Sequence, residues 1–331
     1  MSRKLLSYTA IGLILGSTAI ADVPKVAVDI APVHSLVSRV MEGVGSPKLI
    51  IPAGASPHEY SLRPSEAKSL QDADMVIWMG EDLAPWMENS IETLSKNAEV
   101  ITLLEESDTK LLDFREGALF EEHDHGDHDD HDKDHDDHDD HDHDKDHDDH
   151  DDHDDHDGHA HGEHDPHAWL SIENAQTWLN LVAGKLSAAD PDNAGVYFAN
   201  AAAAREEIND LVKEVNSILE PVRGRNFVVF HDAYQYFETS FDFPAAGAIS
   251  LGDATDPSAA RIAEIQDRVK DEGINCVLSE PQYNANLVAT VLSGTDAKTG
   301  IIDPLGLGLE PGSKLYGDLI RNMAKALAGC L

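Results

Sequence analysis

Positive charge is scarce in this chain. Its 331 residues hold 24 Lys and Arg against 63 Asp and Glu, a formal net charge of -39. Nucleic acid and an anionic membrane surface both need cationic partners, so neither is expected to bind here. Cysteine is nearly absent as well: the two residues present, Cys276 and Cys330, are too few for a thiolate zinc site. Neither an H-E-x-x-H pattern nor a recognised nucleophile arrangement occurs, which argues against a zinc hydrolase.

Long apolar runs are missing too. The first residues, "MSRKLLSYTAIGLILGSTAIAD", set Arg3 and Lys4 before an apolar stretch that ends on Ala19, Ile20 and Ala21. That stretch is too short for a membrane anchor, and the pattern predicts a signal peptide over 1–21, cleaved after Ala21, hence export to the periplasm. No cysteine follows it, so lipid attachment there is excluded. "LAGC" at Leu327 to Cys330 imitates a lipid-attachment box at the wrong end of the chain. In an oxidising compartment a lone pair of cysteines is expected to form a disulfide.

What is abundant is concentrated. Residues 121–165 hold 21 Asp, 3 Glu, 2 Lys and 15 of the 19 His, so this one segment carries -22 of the charge. It has too little apolar surface to offset its ordering entropy and is expected to be a disordered His/Asp-rich loop. On either side, apolar runs alternate with amphipathic segments, for example "KVAVDIAPV", "DMVIWMG" and "EVITLL", then "NFVVFHDAY", "INCVLSEP" and "TGIIDPLG". Continuous apolar strands between helices indicate parallel sheets. The expected fold is α/β, with two lobes, each a parallel sheet flanked by helices, bridged by one long helix. The boundaries are 22–120 and 166–189 for the N-terminal lobe, 190–220 for the linking helix and 221–331 for the C-terminal lobe. Asp190 is expected to cap that helix and Pro191 to open it, with Ile208, Leu211, Val212, Val215, Ile218 and Leu219 as its apolar stripe.

Four histidines lie outside the run: His34, His58, His167 and His231. His58 and His231 map to strand ends or the loops beyond them, and His167 to a helix start after the His-rich run. Asp303 sits at another strand end. Ligands of open parallel sheets bind outside the carboxyl ends of the strands, and three imidazoles with a carboxylate or water suit tetrahedral Zn²⁺. His34, in "APVHSLVSRV", reads as structural.

The stretches "GASPHEYSLRPSEAKSLQDADMVIWMG", "DPHAWLS", "VVFHDAYQYFE", "SEPQ" and "DPLG", in this order, resemble the metal-specific solute-binding proteins of ABC importers, and most closely their zinc-binding branch. The resemblance covers nearly all of the mature chain. It implies two α/β lobes, a long bridging helix and a metal in the cleft, with His58, His167 and His231 as ligands. Asp303 stands where manganese binders place a carboxylate, and His231 where they typically have Glu. A third imidazole favours zinc, because Mn²⁺ prefers oxygen. Some zinc members use an acidic residue just before the first histidine; here that residue is Pro57, leaving Asp303 or a water as fourth ligand. The zinc branch also carries a disulfide in the second lobe, at positions matching Cys276 and Cys330.

The resulting expectation is a monomeric exported protein, not an enzyme, that binds Zn²⁺ as cargo and passes it to a membrane permease driven by an ATPase. The loop, including His150, His153, His156, His159, His161 and His164, is read as a weaker secondary zinc collector or sensor. The competing readings are a manganese-binding homologue, a periplasmic zinc buffer, and a secreted zinc hydrolase with Glu59 or Asp232 as base.

Overall fold

The computed structural model describes residues 23–52, 54–115, 164–250, 258–271, 273–282 and 285–331. The signal peptide expected at 1–21 and the His-rich segment up to residue 163 lie outside them.

The first sheet is built from β1 (Val26–Val28), β2 (Lys48–Leu49), β3 (Met75–Trp78) and β4 (Glu99–Thr102), in the order β2-β1-β3-β4, every pair parallel. The helices α1 (Ala31–Val40), α2 (Pro64–Gln71) and α3 (Pro85–Leu94) connect these strands, each with proline in its first turn. That is the position where a missing N–H costs nothing. β1 and β3 are buried throughout, as a strand covered on both faces must be.

The second sheet repeats the plan with β5 (Phe227–His231), β6 (Gly247–Ser250), β7 (Cys276–Ser279) and β8 (Lys298–Ile301), in the order β6-β5-β7-β8, again all parallel. Alternate residues of β5 serve different layers. Phe227 and Val229 join the apolar core that runs through both lobes. Val228 and Phe230 join a separate cluster with Ile265 and Val269 of α7 (Ala259–Asp271) and Val288 of α8 (Ala285–Val291). The fold class therefore stands as read from the sequence.

Between the sheets, α4 (Ile172–Ala189) precedes the long helix α5 (Ala194–Leu219), whose 26 residues span about 39 Å at the usual rise. Its buried stripe is Tyr197, Ala201, Ala204, Ile208, Leu211, Val215 and Leu219; Val212 and Ile218 are only half-buried. Asp190 does not act as the cap of this helix. It closes α4, and its Oδ2 accepts from Asn193 Nδ2 (2.7 Å) and Tyr197 Oη (2.8 Å). The intervening Pro191–Asn193 forms a 3₁₀ turn, so α5 starts later than the proline suggests.

Ion pairs fix α5 to both sides: Arg39 of α1 binds Glu207, and Arg321 of α9 (Leu315–Cys330) binds Glu214 at 2.7 Å. α9 packs against α5, α1 and β8, and the Tyr316 amide donates to Ser35 Oγ at 2.9 Å. The last helix thus leans on the first lobe as well as the second. The disulfide Cys276–Cys330 is present, joining β7 to the end of α9 with 5.7 Å between Cα atoms. A Cβ on Gly300 of β8 would stand 3.0 Å from Leu278 and 3.1 Å from Cys330; glycine makes room there for the bridge.

One helix was not legible in advance. α6 (Gln235–Phe241) follows β5, burying Tyr236, Phe237 and Phe241, and ends at Asp242 in the left-handed region (φ 48°). Seven residues dense in aromatics give too short a stretch to show a helical period.

Candidate metal site

His231 is the last residue of β5, His58 lies in the loop after β2, and His167 precedes the 3₁₀ turn Ala168–Leu170 that leads into α4. These three sites, far apart in the chain, meet between the sheets. The His167 ring centre is 5.6 Å from that of His58 and 5.3 Å from that of His231. Imidazoles sharing one tetrahedral Zn²⁺, with Zn–N near 2.0–2.1 Å, have centres roughly 5 Å apart. Among the described residues no three His, Cys, Asp or Glu side chains form a ready-made metal-holding group.

Their orientation is set by carboxylates. Asp165 Oδ1 lies 2.7 Å from His167 Nδ1 and also accepts from the His167 amide at 2.9 Å. Glu280 Oε1 lies 2.5 Å from His231 Nδ1. Both pairs are buried. A carboxylate on Nδ1 fixes the proton there and leaves the Nε2 lone pair for a metal, the arrangement in which a ligating histidine is normally held. Asp165 and Glu280 were not singled out in the sequence, although the quoted stretches "DPHAWLS" and "SEPQ" contain them.

Asp303 follows β8, and its Oδ1 accepts from the amides of Leu305 (2.9 Å) and Gly306 (3.1 Å), the ordinary work of an aspartate in a turn. It reaches the neighbourhood of the histidines through Trp169. That indole donates to Pro304 O at 2.8 Å, and its ring lies 5.2 Å from the His167 ring. His34 is structural, as expected: it is buried in α1 with Nε2 3.2 Å from Pro47 O, and burial lowers its pKa.

His164 and Asp165, counted with the His-rich loop in the sequence, are the first described residues after it. His164 forms an isolated antiparallel bridge with Asp113, with Nδ1 2.8 Å from Asp113 Oδ1. The Asp165 amide donates to Leu112 O at 2.8 Å, and Tyr236 Oη joins both strands, accepting from the Leu112 amide and donating to Asp165 O, each at 2.9 Å. Backbone pairing of this kind outweighs the composition of the run that precedes it.

Nearby, Arg115 binds Asp232 and Glu238 together, with Nε 3.0 Å from Asp232 Oδ2 and Nη1 2.7 Å from Glu238 Oε2. Burial pushes the Asp232 carboxyl up while Arg115 pulls it down. A carboxylate so occupied is no general base, and Glu59 is exposed to solvent.

The zinc-uptake complex component A periplasmic family matches residues 26–330. The chain belongs to this family. It is therefore a component of a zinc-uptake complex and not an enzyme. A relative from Paracoccus denitrificans (strain Pd 1222), the high-affinity zinc uptake system protein ZnuA, is 50% identical over 321 residues, 96% of this chain and 95% of the relative. A crystal structure of a zinc-bound ZnuA deletion mutant superimposes with a TM-score of 0.70 at 19% identity, covering 93% of this chain and 98% of that one. The Mn²⁺ complex of FpvC from Pseudomonas aeruginosa also gives 0.70 at 19% identity, over 93% and 97%. At such identities these structures establish the zinc-uptake family's fold alone. No described helix is long and apolar enough to cross a membrane.

Proposed function

We propose that the chain captures Zn²⁺ between the two lobes with His58, His167 and His231, that Asp303 or a water completes the tetrahedron, and that the loaded protein delivers the ion to the membrane permease and ATPase of an ABC importer. The observation that carries this reading is the central ring of His167, within 5.6 Å of His58 and 5.3 Å of His231. Three nitrogens favour zinc over manganese, which prefers oxygen donors; the fold is common to zinc- and manganese-bound proteins, so the donors must decide. The His-rich segment acts as a secondary, weaker collector, because each chelation there costs ordering entropy that a preformed cleft avoids. Its covalent link to the chain three residues before His167 would raise the local zinc concentration. The protein works in the periplasm as a monomer, after cleavage behind Ala21.

Competition against a tight zinc chelator tests the assignment. His58→Ala, His167→Ala and His231→Ala are each expected to abolish high-affinity binding, and removal of residues 123–163 to retain one tight site per chain. The opposite pattern would assign the tight site to the His-rich segment.

A further inference from the structure

Two of the four tryptophans hold prolines that adjoin proposed ligands. Trp86 Nε1 donates to the carbonyl of Pro57, the residue before His58, at 2.7 Å. Trp169 Nε1 donates to the carbonyl of Pro304, the residue after Asp303, at 2.8 Å. Both prolines are buried. A proline has an acceptor but no backbone donor, so a sheet ladder cannot secure it from both sides; an indole N–H, which only donates, complements it. Trp86 does more than donate: its ring also stands edge-on to Tyr60 at 5.7 Å, and Tyr60 Oη binds Glu66 of α2 at 2.9 Å. The loop bearing His58 is thus held immediately before and two residues after that histidine. Trp169, fully buried, touches the His167 ring on one side and holds the Asp303 turn on the other.

We propose that Trp86 and Trp169 are positioning residues for zinc capture, presetting the loops of His58 and Asp303 before the ion arrives, as Asp165 and Glu280 preset His167 and His231. This rests on the ligand reading above. A loop left free to move would have to be ordered on each binding event, at a cost in affinity.

The test uses the full chain and two kinds of measurement. Trp86→Phe and Trp169→Phe keep an aromatic ring and remove the donor. Each is expected to weaken zinc binding about three- to tenfold in chelator competition, the usual worth of one hydrogen bond. Trp178→Phe is the control, since that indole, as buried as Trp169, donates to Thr109 Oγ1 at 2.9 Å instead of to a proline beside a proposed ligand. It is expected to change affinity less than twofold. In the unaltered zinc-free chain, the indole protons of Trp86 and Trp169 should exchange slowly with solvent, which reads the clamps directly even where a variant folds poorly. Fast exchange, an equal loss in Trp178→Phe, or no loss in either clamp variant overturns the proposal. If the three histidine variants still bind zinc tightly, the ligand reading itself falls; if they do not and the clamp variants bind normally, only this inference falls.

Discussion

Asp165 and His167 bind each other twice, the carboxylate Oδ1 accepting from the histidine amide at 2.9 Å and contacting its ring Nδ1 at 2.7 Å. One oxygen therefore fixes both the backbone turn and the imidazole tautomer. Glu280 does the second of these tasks for His231 from a different strand end, at 2.5 Å. The two buried carboxylates also bring negative charge to a place proposed to receive a dication.

Asp165→Asn and Glu280→Gln keep an acceptor for the ring and remove the charge. Each is expected to weaken zinc binding by about 10- to 100-fold, the usual effect of losing an outer partner of a ligating histidine. Chelator competition measures it, with the melting temperature of the zinc-free chain as the check on folding. Wild-type affinity in both variants would show that the rings are oriented by something else.

Arg115 neutralises Asp232 and Glu238, whose side chains are each only 5% exposed. Arg115→Met strands two buried carboxylates and is expected to cost about 3–5 kcal/mol in urea unfolding. Adding Asp232→Asn should restore part of that loss. A single variant within about 1 kcal/mol of wild type would mean that the carboxylates find solvent or protons without the arginine.

Asp29, at the carboxyl end of β1, is fully buried, and burial pushes its carboxyl up to about 7 against the opposing pull of the Met79 and Ile30 amides. A carboxyl raised in the folded state stabilises most where it is protonated in both states, below about pH 4. Between about 4 and 7 the unfolded chain releases the proton first, so this contribution declines as pH rises and is flat above about 7. Asp29→Asn should remove that decline, seen as a smaller difference between unfolding free energies at pH 5 and pH 7.5. An unchanged difference would show that the amides keep the carboxylate ionised throughout.

The Cys276–Cys330 bridge spans 54 residues of chain. Replacing both cysteines by alanine is expected to destabilise the protein by about 4 kcal/mol in the chain-entropy account. Because the bridge lies between β7 and α9, the number of zinc ions held in the cleft should not change. Loss of cleft binding in a variant that still melts cooperatively would tie the bridge to the site.

Much of the fold was legible because parallel strands buried on both faces leave continuous apolar runs, as "DMVIWMG" and "INCVLSEP" do around β3 and β7. α6 was not, since seven aromatic-rich residues carry no readable period. The capping role given to Asp190 failed because local capping chemistry cannot distinguish a residue that starts one helix from one that closes another. Of the proposed site, His58, His167 and His231 stood out as histidines beyond the charged run, and the resemblance to the solute-binding family pointed to them as ligands. Asp165 was concealed by 20 other aspartates in the same segment, and Glu280 by nothing more than being an ordinary acid after a strand.

The sequence by itself determined the class of fold and the cysteine pair, and it singled out the three imidazoles proposed as ligands, because burial period and residue type are local properties of the chain. Only the tertiary structure decided which distant atoms face one another: Glu280 on His231, Trp86 and Trp169 on their prolines, Arg115 between two acids. Those pairings join residues up to 135 positions apart, and no local pattern encodes a contact that exists only after two sheets and a long helix have packed.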